Sequence, residues 1–305
     1  MTVYNTLLIG MGKIGLGNNE YKKYRSHFYT LLKDKNINLV GVVDKNEKKL
    51  LEIKKKYKIN CFKNLKDIKN FTFDLIIIST PTNTHYEVAL ECLRYLKTKT
   101  ILVEKPLGGD LKKIKIIEKI AKKKNIKIFV NFIRLSLPVT IYLKKILKDK
   151  CVNGNVLYSN GLINNATHFI NLCIFLFGSI IKVKVNKKLF YNKIDFHAEF
   201  ILFFKNAEIK FKYSNSMNTK HHIELFSNNL YLKWERQKKI ILARKSAKTL
   251  EIETKLNVYQ YLVIKNLKLF FQKKKFNLCS IKDCIKTLEV TNIIKKHNRK
   301  NDDKI

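Results

Sequence analysis

The sequence predicts an α/β chain in two parts, a doubly wound parallel sheet followed by an α+β region with a mainly antiparallel open sheet. From Val3 to about Asn131, apolar strand-like runs alternate with lysine-rich helical segments, as they do in parallel sheets covered by helices on both faces. After Pro138, extended runs of partial alternation succeed one another with no helix between them, which is the antiparallel pattern. At about 150 residues per domain, the 305 residues make two domains. The change of pattern divides them into residues 1–135 and 136–305.

In the first part the expected strands are 3–9, 38–43, a short one at 60–62, 74–79, 100–103 and 127–131, with helices between them. In the second, a linking helix reaches about Lys150 and a strand follows near 156–159. A very apolar helix then runs from about Asn164 to Phe177, where Gly178 stops it. Further strands are expected at 181–185, 197–204, 208–213, 222–226, 230–234 and 240–243. Helices at about 258–271 and 281–296 come before a charged tail.

Basic residues outnumber acidic ones by 62 to 24, a net charge of +38. Such an excess ordinarily suits nucleic acid or an anionic membrane. Here only six of the 62 are arginine, and lysine is spread along the whole chain together with Ile, Asn, Phe and Tyr, as codon bias would spread it. Nucleic-acid readers use arginine for bidentate contacts and gather their charge on one face. The six cysteines, at 61, 92, 151, 173, 279 and 284, show neither a CxxC nor paired metal-ligand spacing and read as reduced thiols. No basic stretch precedes the first apolar run, so no signal peptide is expected. The longest apolar stretch, 169–181, contains Asn171 and is too short to span a bilayer. The expectation is a cytoplasmic protein with no metal, nucleic-acid or membrane partner.

Four of the ten glycines, Gly10, Gly12, Gly15 and Gly17, fall within eight residues directly after Leu7-Leu8-Ile9. In Gly10-Met11-Gly12-Lys13-Ile14-Gly15, the first glycine suits a tight strand-to-helix turn and the second lets backbone approach a pyrophosphate. The third allows close helix packing, and the helix N-terminus faces the phosphates. A strand before, a helical segment after and Asp44 at the end of the next strand supply the context of a dinucleotide-binding Rossmann domain. A carboxylate at 44 suits ribose hydroxyls and repels a 2′-phosphate, so NAD is expected over NADP.

Each of the three prolines marks a junction. Pro81 follows the run 75–79 and Thr80, opening Pro81-Thr82-Asn83-Thr84-His85, and Pro106 follows Leu102-Val103-Glu104-Lys105. Both sit past the carboxyl ends of strands, where open α/β sheets bind ligands, so both loops are expected to border the cofactor. Pro138 lies just past Asn131-Phe132-Ile133-Arg134, where the chain leaves the nucleotide domain. Lys105 can hydrogen-bond a hydroxyl undergoing oxidation and stabilise the developing alkoxide. The alternative is an ordinary lysine whose ammonium reaches out to solvent.

These residues together, the glycine turn, Asp44, Thr80-Pro81-x-x-x-His85, Glu104-Lys105-Pro106 and Asn131…Arg134…Pro138, resemble the glucose–fructose oxidoreductase, inositol dehydrogenase and MocA (Gfo/Idh/MocA) family over most of the chain. The resemblance implies an NAD(P)-dependent oxidoreductase of sugars, cyclitols or related polyols. It also implies a nicotinamide beside Lys105, a cis Lys105–Pro106 peptide, a cofactor bordered by Thr80, Pro81, His85 and Glu104, and a substrate near Asn131 and Arg134.

A second constellation is Asn164-Asn165-Ala166-Thr167-His168-Phe169-Ile170-Asn171. Asn164, His168 and Asn171 stand at i, i+4 and i+7 of an otherwise apolar helix. Buried polar groups need partners or a wet cavity, so this stripe is expected to face the cleft between domains. The resembling family carries Asp at the position of Asn164, the histidine at His168, and often Asp at Asn171. Both acids are Asn here, which leaves His168 as the ionisable group of the stripe and as candidate general base, with Asn164 beside it for substrate. Alternatively Asn164 or Asn165 caps the helix and His168 is a satisfied core residue. His27 either lines the cofactor cleft or is structural, and His221 and His222 point to opposite strand faces.

The expected function is transfer of hydride between NAD and a sugar-like hydroxyl or ketone, with Lys105 and His168 catalytic. An activated sugar for surface polysaccharide is the expected substrate and a homo-oligomer through the C-terminal sheet the expected assembly. The reading from another class is a non-catalytic NAD(P)-binding sensor of the same fold.

Overall fold

A computed structural model describes residues 2–17, 25–190, 195–214, 221–235, 239–244, 247–253 and 259–297. It divides into two compact units, Met1–Ser136 with Asn257–Ile285, and Leu137–Leu256 with Lys286–Ile305.

The first unit is built on six parallel strands, β1 (Tyr4–Ile9), β2 (Ile37–Val43), β3 (Asn60–Phe62), β4 (Thr72–Ile78), β5 (Lys97–Glu104) and β6 (Lys127–Asn131). They run in the order β6-β5-β4-β1-β2-β3. The central strands read as unbroken apolar runs because helices cover both faces: Leu75, Ile76, Ile77 and Ile78 are all fully buried. Between the strands lie α1 (His27–Lys33), α2 (Glu47–Tyr57), α3 (His85–Tyr95) and α4 (Leu111–Lys123). Side chains start two of them. Asn46 accepts from Lys49 N at the head of α2, and Asp110 accepts from Lys112 N at the head of α4. Strand order reverses between β1 and β4, and at such a switch point the carboxyl ends leave room for a ligand.

The second unit opens with α5 (Pro138–Ile146) and β7 (Val152–Tyr158), followed by a π-helical turn at Leu162–Ala166 and α6 (Thr167–Phe177). Strands β8 (Ile180–Phe190), β9 (Phe196–Phe204), β10 (Ala207–Tyr213), β11 (His222–Ser227), β12 (Leu230–Glu235), β13 (Lys239–Arg244) and β14 (Ala247–Glu253) complete one eight-stranded sheet. Its order is β14-β13-β12-β11-β7-β10-β9-β8, and its pairs are antiparallel except β7 with β10. Alternation sets its faces: Val152, Gly154, Val156 and Tyr158 of β7 are buried while Asn153 and Asn155 are exposed.

The chain then supplies α7 (Tyr259–Phe271), a two-residue strand β15 (Cys279–Ser280) and α8 (Ile281–Lys296). Here the expected continuous second domain is corrected, because Asn257–Ile285 groups with the first unit. Val263, Ile264 and Leu267 of α7 share a core with Leu8, Phe28, Leu31 and Phe129, and β15 pairs antiparallel with β6. The apolar face of α7 is satisfied by the nucleotide sheet, a long-range fact without a local marker.

Candidate active site

In the first unit β1 ends in the glycine turn. Gly10 stands at φ +92, and a Cβ at Gly15 would overlap the Gly10 carbonyl oxygen, so neither position admits a side chain without strain. A Cβ at Gly12, by contrast, would meet nothing within 4 Å. That open backbone beside exposed Lys13 and Ile14 suits the approach of a phosphate. One expectation changes. The helix does not follow Gly15 directly: Leu16 N–H donates to Gly12 O at 2.9 Å to close a single turn, and α1 begins only at His27 with Ser26 as its cap. The seven-residue α1 is held to the turn by its own amides, His27 N–H on Ile14 O at 3.1 Å and Phe28 N–H on Gly15 O at 2.9 Å. Among the described residues, the backbone at Gly12 belongs to this single turn, and α1 lies beyond it.

Asp44, at the end of β2, reaches back to the same turn. Its Oδ2 accepts from Met11 N–H at 2.6 Å and its Oδ1 from Asn46 N–H at 2.8 Å, while Lys49 Nζ donates to Met11 O at 3.3 Å. Each carboxylate oxygen has a further lone pair for a ribose hydroxyl. Past β4, Ser79 Oγ donates to Gly10 O at 2.8 Å and Thr84 Oγ1 lies 2.9 Å from Thr80 Oγ1. His85 is buried, with Nδ1 2.7 Å from Pro106 O and Nε2 2.8 Å from Thr80 O, so its ring binds the two loops and not open space.

Glu104 ends β5, and the Lys105–Pro106 peptide after it is cis. His27 Nε2 lies 2.8 Å from Glu104 Oε1, and Asn131 Nδ2 donates to that oxygen at 2.6 Å. Gln260 of α7 bridges back, its Oε1 accepting from Asn131 Nδ2 at 3.1 Å. Burial pushes the Glu104 carboxyl upward, but the hydrogen bond and charge of His27, the Asn131 amide and the charge of His85 outweigh it and hold the pKa below the ordinary value. Glu104 is thus an ionised, nearly buried anchor directly before Lys105. Asn131, expected at the substrate, spends its amide on this anchor, while Lys105 and Arg134 are half-buried. His27 and Gln260 were not among the residues assigned to the site from the sequence. Gln260 carries no sequence signal, because only the return of α7 brings it here.

In the second unit the polar stripe does not form as expected. Asn164 is exposed, His168 is half-buried in the first turn of α6, and Asn171 is buried with its Nδ2 donating to Thr287 Oγ1 at 3.0 Å. Asn164 lies in the π turn at 162–166, ahead of the regular helix α6 that carries His168 and Asn171. Neither Asn164 nor Asn165 caps α6. Asp195 holds the turn, accepting from Ile163 N–H and Asn164 N–H at 2.9 Å each, and the carboxylate occupies the space a Cβ on Gly161 would need. Asn165 turns to His221, which is buried and whose Nδ1 accepts from Ser159 N–H at 3.0 Å. The Asn165 Nδ2 lies 3.0 Å from His221 Nε2, so the side chain of the turn is fastened to this buried ring. His197 is buried and stacked on Tyr213, and burial lowers its pKa against the opposing charge of Asp195.

A glycine turn, an acid at the second strand end and a charged anchor at the fifth, all at the carboxyl edge of a parallel sheet, define a dinucleotide-binding α/β protein. Residues 4–132 match the family model of the Gfo/Idh/MocA oxidoreductases, described as an NAD-binding Rossmann fold. The N-terminal domain of this chain is similar to that family's model, and NAD is the cofactor of this Rossmann domain. A curated relative, Oxidoreductase P35 of Formosa agariphila, is 31% identical over 151 residues, 49% of this chain and 45% of that protein, so less than half of the relative is spanned. Among solved structures, the dehydrogenase MviM of Clostridium difficile aligns with a TM-score of 0.77 at 19% identity over 96% of this chain and 99% of its own. The UDP-N-acetylglucosamine 3-dehydrogenase of Acidithiobacillus ferrooxidans aligns with a TM-score of 0.77 at 16% identity over 96% and 97%. Those alignments establish the two-part fold over nearly the whole chain. No helix among the described residues is long and apolar enough to cross a membrane.

Proposed function

We propose that the chain is an NAD-dependent oxidoreductase acting on a sugar-like hydroxyl or ketone, with an activated sugar for surface polysaccharide as its substrate. The observation that carries this reading is the anchored Glu104 directly before Lys105 at the end of β5, on the same sheet edge as the glycine turn. Gly10, Gly12, Lys13, Ile14 and Gly15 would hold the pyrophosphate, Asp44 the adenosine ribose, and Thr80, Pro81, Glu104 and Lys105 the nicotinamide half. The chemistry a bound nicotinamide supplies is acceptance or return of a hydride. Lys105 hydrogen-bonds the substrate oxygen and stabilises its charge, and His168 takes the hydroxyl proton in oxidation or returns it in reduction. The solved relative named as a UDP-N-acetylglucosamine 3-dehydrogenase supports the choice of an activated sugar.

The half-buried outer face of the second sheet, with Ile201, Phe203 and Ile241 on it, supports a homo-oligomer through that sheet. A cytoplasmic location without a nucleic-acid partner fits the scattered lysines. The second reading, an NAD-binding sensor, is favoured by Asn171, which is buried on Thr287 where the family often has an acid. A turnover screen of nucleotide sugars and polyols with NAD, read at the nicotinamide absorbance, separates the two. Reduction of NAD by a member of the panel supports the enzyme, and binding of NAD without turnover of any member supports the sensor.

A further inference from the structure

His85 opens α3 at 2% exposure, and both of its ring nitrogens lie against backbone carbonyl oxygens: Nδ1 at 2.7 Å from Pro106 O and Nε2 at 2.8 Å from Thr80 O. A carbonyl oxygen only accepts. A neutral imidazole has one N–H and one lone pair, so it can serve one of these oxygens and must turn its lone pair against the other. The imidazolium donates to both. In a buried site that lone-pair opposition is not relieved by water, and the two short distances are those of N–H donation on each side.

We propose that His85 is a positioning residue that works as an imidazolium, tying the loop after β4 to the loop after β5 and so holding Lys105 in place beside the cofactor site. Thr80 belongs to the loop that follows β4, and Pro106 directly follows Lys105 past the end of β5, so the two hydrogen bonds join the loop after β4 to the residue next to the lysine. The charge has its counterpart in the ionised Glu104 of β5, on which the charge of His85 acts. On the other elements around α3, Asp74 of β4 is paired to Lys99 of β5, and Lys113 of α4 is paired to Glu87 of α3 itself. Lys66 and Asp67 of the turn at 65–68 are exposed. Lys105 is the neighbouring cation that the clamp must tolerate, and Glu104 sits before it in the chain. This inference rests on the NAD site of the first unit and is independent of which substrate the protein takes.

The test uses the full chain saturated with NADH. With 15N-labelled histidine at pH 7, assigned through the Thr84–His85–Tyr86 backbone, both His85 ring nitrogens are expected to carry protons. One bare ring nitrogen overturns the proposal, and this arm needs no variant. The functional arm is His85→Gln, whose single amide nitrogen reaches one of the two carbonyls. NADH affinity is expected to fall by roughly tenfold for the lost charge-assisted hydrogen bond. Protection of Lys105 by NADH against an amine-acylating reagent, read by peptide mass spectrometry, should weaken severalfold. A folded His85→Gln protein with wild-type NADH affinity and wild-type protection of Lys105 would show that His85 positions nothing.

Discussion

Replacing Glu104 with Gln keeps the shape of the anchor and removes its charge. In the wild type Oε1 accepts from His27 Nε2 at 2.8 Å and from Asn131 Nδ2 at 2.6 Å, with the Glu104 side chain 15% exposed and that of His27 fully buried. Hydrogen bonds to a charged group contribute about 1.5–3 kcal/mol and neutral ones about 1, so two bonds losing their charge cost about 2 kcal/mol. With a urea slope of about 2 kcal/mol per molar, the unfolding midpoint of the first unit should drop by about 1 M. Hydrogen exchange of β1–β6 peptides across a urea series reads that unit. Fluorescence of Trp234, the chain's one tryptophan, reads the second unit as an internal control. The pH dependence has a definite sign. Because the folded pKa of Glu104 is lowered, its contribution is fully present above the unfolded carboxylate value of about 4.3 and is lost as pH falls through the folded value. The gap between wild type and Glu104→Gln should therefore hold at pH 7 and close progressively below about pH 4. Equal midpoints at pH 7, or a gap undiminished on acidification to about pH 3, would refute the reasoning.

Asp44→Ser should narrow the preference for NAD(H) over NADP(H), because it removes the carboxylate that repels a 2′-phosphate; direct titration showing NADP(H) tighter in the wild type would reverse the assignment. Lys105→Ala should lower turnover by on the order of a hundredfold while leaving NADH affinity within a few-fold, since the contact is made mostly in the transition state. Gly161→Ala forces a side chain at φ +86 onto the Asp195 carboxylate and detaches it from the Ile163 and Asn164 amides. At about 1–2 kcal/mol for the backbone and about 1–3 for each unsatisfied amide, the Trp234 unfolding midpoint should fall clearly, with Asp195→Asn milder.

The nucleotide sheet was legible because its strands are buried on both faces and read as apolar runs: the expected 60–62 and 127–131 coincide with β3 and β6. Strand β14 was missed because it is an edge strand, where Thr249 and Glu251 alternate with Leu250 and Ile252 and the polar positions blunt the strand signal. The glycine turn, Asp44 and Glu104-Lys105-Pro106 could be read from local order, whereas their supports could not. Gln260 stands more than a hundred residues from Glu104 in the sequence, and Asp195 reaches the 162–166 turn from the start of β9. The π turn at 162–166 has no sequence periodicity of its own, so the pattern reads as one regular helix from Asn164 onward.

Hydride transfer itself is tested most directly by following a label. The protein is incubated with NADH carrying deuterium at the transferable C4 position and a pool of keto forms of nucleotide sugars and polyols, and the products are read by mass spectrometry. Deuterium is expected in one reduced product with the wild type and is expected to fall by on the order of a hundredfold in rate with Lys105→Ala. Tight NADH binding with no label moved into any member of the pool would contradict an oxidoreductase and leave the sensor.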